Sequence, residues 1–81
     1  MPVAFVLIEV EAGKIPDVVK KLSDIDEVVE VYSVAGPYDV VAKVQVEDYE
    51  TFGQVIPEKV GKISGIGRTL TLVAFKFRRS S

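Results

Sequence analysis

The chain has 81 residues with a formal net charge of −2, and it contains neither cysteine nor histidine. That length supports one small domain, and the composition excludes disulfides, thiolate chemistry and histidine-ligated metals. A domain of this size buries only about 60% of its unfolded surface, so oligomerisation is the support left open to it.

Val3 to Val10 (VAFVLIEV) reads as the first strand, apolar throughout except at Glu9. Glu11-Ala12-Gly13-Lys14 is a loop. Pro16 suits the first turn of a helix, because its missing N–H would be unpaired there anyway. Asp17 near the start and Lys20 and Lys21 near the end match the helix dipole. Ile15, Val18, Val19, Leu22 and Ile25 recur at helical spacing, so the first helix is expected over Pro16–Ser23.

Val28–Ala35 and Tyr38–Glu47 read as a β-hairpin whose tip is Gly36-Pro37-Tyr38-Asp39. Asp48 is placed to cap a second helix, with Phe52, Val55, Ile56, Val60 and Ile63 as its buried stripe. Pro57 falls inside that stripe and predicts a kink or a break with a restart, since proline costs about 3 kcal/mol in a helix interior. Gly65 suits the helix C-terminus. Thr69–Phe77 is the last strand.

The order β-α-β-β-α-β predicts an α+β fold: a ferredoxin-like sandwich with a four-stranded antiparallel sheet and two helices on one face. It is expected to occupy residues 1–81 as a single domain. Alternation puts Val3, Phe5 and Leu7 on one face of the first strand and Ala4, Val6, Ile8 and Val10 on the other. In the second strand Val29, Val31 and Ala35 oppose Val28, Tyr32 and Val34. In the fourth, Leu70, Leu72 and Ala74 oppose Val73, Phe75 and Phe77. Two helices cover one sheet face only, and the loops are too short to cover the other. A sheet-to-sheet homodimer is therefore expected.

The function classes narrow by chemistry. Without His or Cys the usual nucleophile–base pairs are missing, so no catalysis and no cofactor are expected. Acylphosphatase-like chemistry on this fold uses an Asn, and the chain has none. Glu9 and Glu11 read as a solvated strand end. Gly65-Ile66-Gly67 follows a helix and precedes a strand, the reverse of a dinucleotide-binding context, and reads as a cap and turn. Phe75 and Phe77, interleaved with Lys76 and Arg78, read as core or dimer interface rather than an RNA-stacking surface. Lys76, Arg78 and Arg79 read as a solvated tail, and with an acidic balance direct DNA binding is not expected. No apolar run is long enough to cross a membrane, and no secretory leader is seen, which points to the cytoplasm.

The hairpin tip has two readings. Asp39 can bond local backbone N–H groups in an ordinary turn. Alternatively, Gly36 admits a ligand closely, turn N–H groups hold a carboxylate, and Asp39 holds an ammonium group.

Two segments carry a family resemblance. Val34-Ala35-Gly36-Pro37-Tyr38-Asp39 resembles the G-x-Y-D motif of the Lrp/AsnC transcriptional regulators. Ile63-Ser64-Gly65-Ile66-Gly67-Arg68-Thr69-Leu70-Thr71 resembles that family's segment before the last strand, with Ser64 where Pro is usual. Together they cover the effector-binding module, also called the RAM domain, in a stand-alone form without the DNA-binding domain. The resemblance implies dimers that assemble into rings, and a free amino acid bound between dimers. It further implies that Gly36, Pro37, Tyr38 and Asp39 line the site, with Thr69 and Thr71 from the last strand, and that full-length regulators of the family are partners. Two alternatives stay open: an ACT-type amino-acid-sensing domain using Glu11-Ala12-Gly13, and a small ferredoxin-like enzyme such as a cofactor-free oxygenase.

Overall fold

The computed structural model of the chain describes residues 1–77; Arg78 and Arg79 of the expected tail lie outside them. Four strands, β1 (Val3–Val10), β2 (Val28–Ser33), β3 (Val40–Gln45) and β4 (Ile66–Ala74), form one antiparallel sheet in the order β2-β3-β1-β4. β3 and β1 are the inner strands. Ala4, Val6 and Ile8 of β1 stand beside Val44, Ala42 and Val40 of β3, and all six are fully buried.

Helix α1 (Ile15–Ser23) crosses that face. Pro16 sits in its first turn, and Val18 and Leu22, one turn apart, enter the core. The second helical segment begins where Asp48 accepts hydrogen bonds from the Thr51 N–H at 3.0 Å and the Thr51 hydroxyl at 2.9 Å. It runs through a 3₁₀ turn (Tyr49–Thr51), a short α2 (Phe52–Val55) and a π turn (Ile56–Val60). Phe52, Val55 and Val60 complete the core.

Pro57 thus interrupts the regular helix, as expected: α2 ends at Val55, and the segment continues as the π turn with Pro57 in its first turn. In a regular helix the proline ring would press on the carbonyl one α-turn back. Beyond Pro57 the turn is wider than an α-turn, and the Gly61 N–H reaches the Ile56 carbonyl at 2.8 Å. Gly61, not Gly65, follows the last helical residue. Gly65 instead has φ +95°, its carbonyl accepts from the Glu11 N–H at 2.9 Å, and it packs against α1. A Cβ there would stand 3.1 Å from Lys14 Cβ and 3.3 Å from Val18 Cγ2.

The strand limits also differ from those expected. β2 stops at Ser33 and β3 starts at Val40, so the connection is longer than the four-residue tip. β4 starts at Ile66, because its pairing with β1 passes an irregularity between Ile8 and Val10 and resumes at Val10–Ile66. It stops at Ala74, opposite Val3, where β1 itself begins. Phe75 and Phe77 consequently leave the sheet and stand 72% and 99% exposed, not in the core of the chain. Phe75 stacks on Tyr49 at 5.3 Å between ring centroids.

A bulge in β2 places Val28 opposite Val44 and Glu30 opposite Lys43, making Val29 the extra residue. Val28 and Val31 thus share the helix side, where simple alternation had separated them. Among the described residues, nothing covers the opposite sheet face. Leu70 and Leu72, across from Leu7 and Phe5, are 44% and 48% exposed.

Candidate functional site

The segment between β2 and β3 is anchored at both ends. The Val34 N–H donates to the Asp39 carbonyl at 2.9 Å, and the Asp39 N–H donates to the Ile8 carbonyl at 3.0 Å. The Asp39 carboxylate then accepts from the Val10 N–H, at 2.8 Å through Oδ2. Ile8–Val40 is the last backbone pair between β1 and β3. Beyond it β3 has turned away, and the N–H of Val10 still needs an acceptor. The side chain of Asp39 supplies it, so the contact is to a strand 29 residues distant and not to the local turn.

Gly36 has φ +146°, a conformation that side chains rarely adopt, although a Cβ would meet nothing within 4 Å. Backbone geometry rather than space requires glycine there. Pro37 contributes no N–H. Tyr38 and Asp39 are half-buried, while Gly36 and Pro37 are exposed.

On the other side of β1, β4 carries its own irregularity. Two residues, Gly67 and Arg68, lie between the partners of Ile8 and Val10, opposite the single residue Glu9. Arg68 grips Glu9 with two parallel bonds, Nε to Oε1 at 3.2 Å and Nη2 to Oε2 at 3.0 Å. The hydrogen bond from Arg68 holds the Glu9 carboxyl below the usual carboxylate range. Glu9 in turn raises the Arg68 pKa. Glu9 is therefore paired, not simply the solvated strand end read from the sequence.

The structure thus gathers Glu9, Tyr38, Asp39 and Arg68 at one end of the sheet. Thr69 and Thr71 pair across from Ile8 and Val6, whose side chains point toward the helices. They share that face of β4, Thr69 exposed and Thr71 half-buried, whereas Arg68 continues the row of Leu70 and Leu72 on the other. Gly13 of the alternative loop lies in the turn closed by the Lys14 N–H on the Glu11 carbonyl at 3.0 Å. Glu9 and Arg68 escaped sequence reasoning because 59 residues separate them. The available signals were a lone carboxylate in an apolar strand and a lone cation after Gly-Ile-Gly.

Two open clefts lie elsewhere. One of about 780 Å³ sits where β1 begins, between Val3, Phe5, Lys43, Tyr49 and Phe75. A second of about 310 Å³ lies beside Glu27, Glu47, Asp48 and Thr51. Neither includes a residue of the 34–39 connection. Among the described residues, no group of three or more acidic side chains is placed to hold a metal ion, and no helix is long and apolar enough to cross a membrane.

Comparison with known proteins places this geometry in a family. Residues 3–80 match the family model described as the Lrp/AsnC ligand binding domain. The HTH-type transcriptional regulator FL11 of Pyrococcus furiosus is 37% identical over 78 residues, 96% of this chain and 51% of FL11. Ptr1 of Methanocaldococcus jannaschii is 32% identical over 91% of this chain and 52% of its own length. The chain thus spans about half the length of these curated relatives. Among solved structures, TTHA0845 from Thermus thermophilus superposes with a TM-score of 0.92 at 36% identity, covering 99% of this chain and 100% of that one. E. coli AsnC superposes with a TM-score of 0.88 at 28% identity, covering 99% of this chain and 56% of AsnC. With its four-stranded sheet and a family match over nearly all its length, the chain belongs to the Lrp/AsnC ligand-binding domain family.

Proposed function

We propose that the chain is an amino-acid-binding and oligomerisation module that acts in transcriptional regulation through ligand-dependent assembly, in the cytoplasm and without catalytic activity. The observation that carries this reading is the state of Asp39. Its Oδ2 is held by Val10, and no described residue hydrogen-bonds its Oδ1. A carboxylate fixed through one oxygen presents the other to a cationic group without further ordering. The ammonium of a free amino acid binds there, and Gly36, which carries no side chain, lets the ligand approach the connection closely. Thr69 and Thr71 serve as secondary contacts from β4.

Assembly completes the site. Among the described residues, nothing covers the connection at residues 34–39 or the apolar face bearing Phe5, Leu70 and Leu72. A second copy packs on that face, and dimers join into a ring near the connection. An amino acid bound between dimers stabilises the ring over its parts by linkage. Acting as a single domain, the chain assembles alone or with full-length regulators of its family.

Isothermal titration of the chain against the twenty amino acids tests binding, and light scattering with and without the binder tests assembly. Gly36→Ala is expected to weaken binding, whereas Gly13→Ala leaves it unchanged; the reverse pattern favours the ACT-type site. If no amino acid binds at millimolar concentration and none changes the assembled mass, the reading fails.

A further inference from the structure

We infer that Arg68 is the receptor for the effector's α-carboxylate, and that Glu9 is an internal stand-in occupying it until the effector arrives. This rests on the amino-acid-binding reading above. The grip of Arg68 on Glu9 is the two-bond fork that guanidinium makes with any carboxylate, at 3.2 and 3.0 Å. An α-carboxylate has the same shape and charge. Glu9 therefore marks where a ligand carboxylate sits and holds the guanidinium in the receiving orientation.

Position supports the assignment. Glu9 lies on β1 between the two points that Asp39 grips, the Ile8 carbonyl and the Val10 N–H. Asp39 reaches this stretch from the β3 side and Arg68 from the β4 side. The two charges that would take the two ends of a zwitterion thus flank the same residues of β1.

The pair is also displaceable. The Arg68 side chain is 77% exposed and that of Glu9 35%, and exposed pairs are weakly held and screened by salt. Gly67, beside them, covers nothing: a Cβ there would stand 3.8 Å from Glu9 Oε1, and glycine leaves that space empty. Burial of the end of the sheet in an assembly strengthens whichever carboxylate Arg68 then holds.

The signs of the mutational effects are unusual and decide the matter. Titrating the twenty amino acids and their α-carboxamides into wild type, Glu9→Gln, Arg68→Gln and Arg68→Lys is the experiment, with circular dichroism confirming the folded fraction of each. Glu9→Gln removes the competitor and is expected to tighten binding about three- to tenfold. Arg68→Gln weakens it about tenfold, and Arg68→Lys, which keeps the charge but loses the fork, weakens it less. The wild type discriminates against the α-carboxamide, and that discrimination shrinks in Arg68→Gln. If an amino acid binds but Glu9→Gln weakens or does not change its affinity, or carboxamide discrimination is undiminished in Arg68→Gln, the assignment is overturned while amino-acid binding stands. If nothing binds to any of the four proteins, the amino-acid reading falls and this inference with it.

Discussion

Replacing Asp39 tests how the ligand site and the sheet share one residue. Asp39→Ala removes the acceptor of a 2.8 Å hydrogen bond and leaves the half-buried Val10 N–H without a protein partner. A stranded donor of this kind costs about 1–3 kcal/mol. For a domain of this length that lowers the melting temperature by roughly 4–8 °C per kcal/mol, or on the order of 10–15 °C at the middle of the range. Asp39→Asn keeps an oxygen in place and loses the charge assistance, so about 1 kcal/mol or less is expected. Thermal and urea unfolding of the three proteins at one chain concentration is the assay, because assembly makes stability concentration-dependent. Should Asp39→Ala unfold within about 0.5 kcal/mol of wild type, the carboxylate does not hold this end of β1 and the reasoning is refuted. Both variants lose effector binding under the proposed function, so Asp39→Asn separates the two roles: fold nearly kept, binding lost.

Three further outcomes follow from the geometry. Gly65→Ala forces a side chain into a left-handed position already 3.1 Å from Lys14 Cβ, so urea denaturation is expected to show a loss of at least about 1 kcal/mol. Leu72→Glu places a charge on the uncovered sheet face, where Leu72 is 48% exposed. Sedimentation is expected to show dissociation with the circular dichroism spectrum retained, and unchanged mass would count against the sheet-to-sheet dimer. Lys59 donates to both oxygens of Glu27, at 2.9 and 3.0 Å, and holds the Glu27 carboxyl below its ordinary value of 4.5. That stability is present above the unfolded value and is lost as the pH falls through the lower folded one. Lys59→Met should flatten the decline of the urea midpoint below about pH 4.5, and an identical decline in both proteins would refute the linkage.

Elements carried by local patterning were legible in the sequence, and those set by a partner were not. β1 announced itself through two apolar faces and α1 through Pro16 and the Val18–Leu22 spacing. The bulge at Val29 was hidden because it depends on the register of β3, which no property of Val28-Val29-Glu30 encodes alone. Pro57 signalled a disturbance in the second helix. Whether a helix breaks or widens depends on where Val60 must land in the core, which is a tertiary matter. The same division runs through the site. Gly36, Tyr38 and Asp39 were visible as a tip with chemistry, but the bond from Asp39 to Val10 and the pairing of Arg68 with Glu9 exist only because β1 has β3 and β4 as its neighbours.

The bond between Asp39 and Val10 has a spectroscopic consequence. The Val10 amide hydrogen is protected by a side chain rather than by the ladder, so its exchange with solvent reports on that one carboxylate. An effector that draws Asp39 away would unmask this hydrogen while its neighbours in β1 stay protected. An effector that locks Asp39 in place would slow it. The chain therefore carries a single-proton meter of occupancy in its central strand, readable without any label on the ligand.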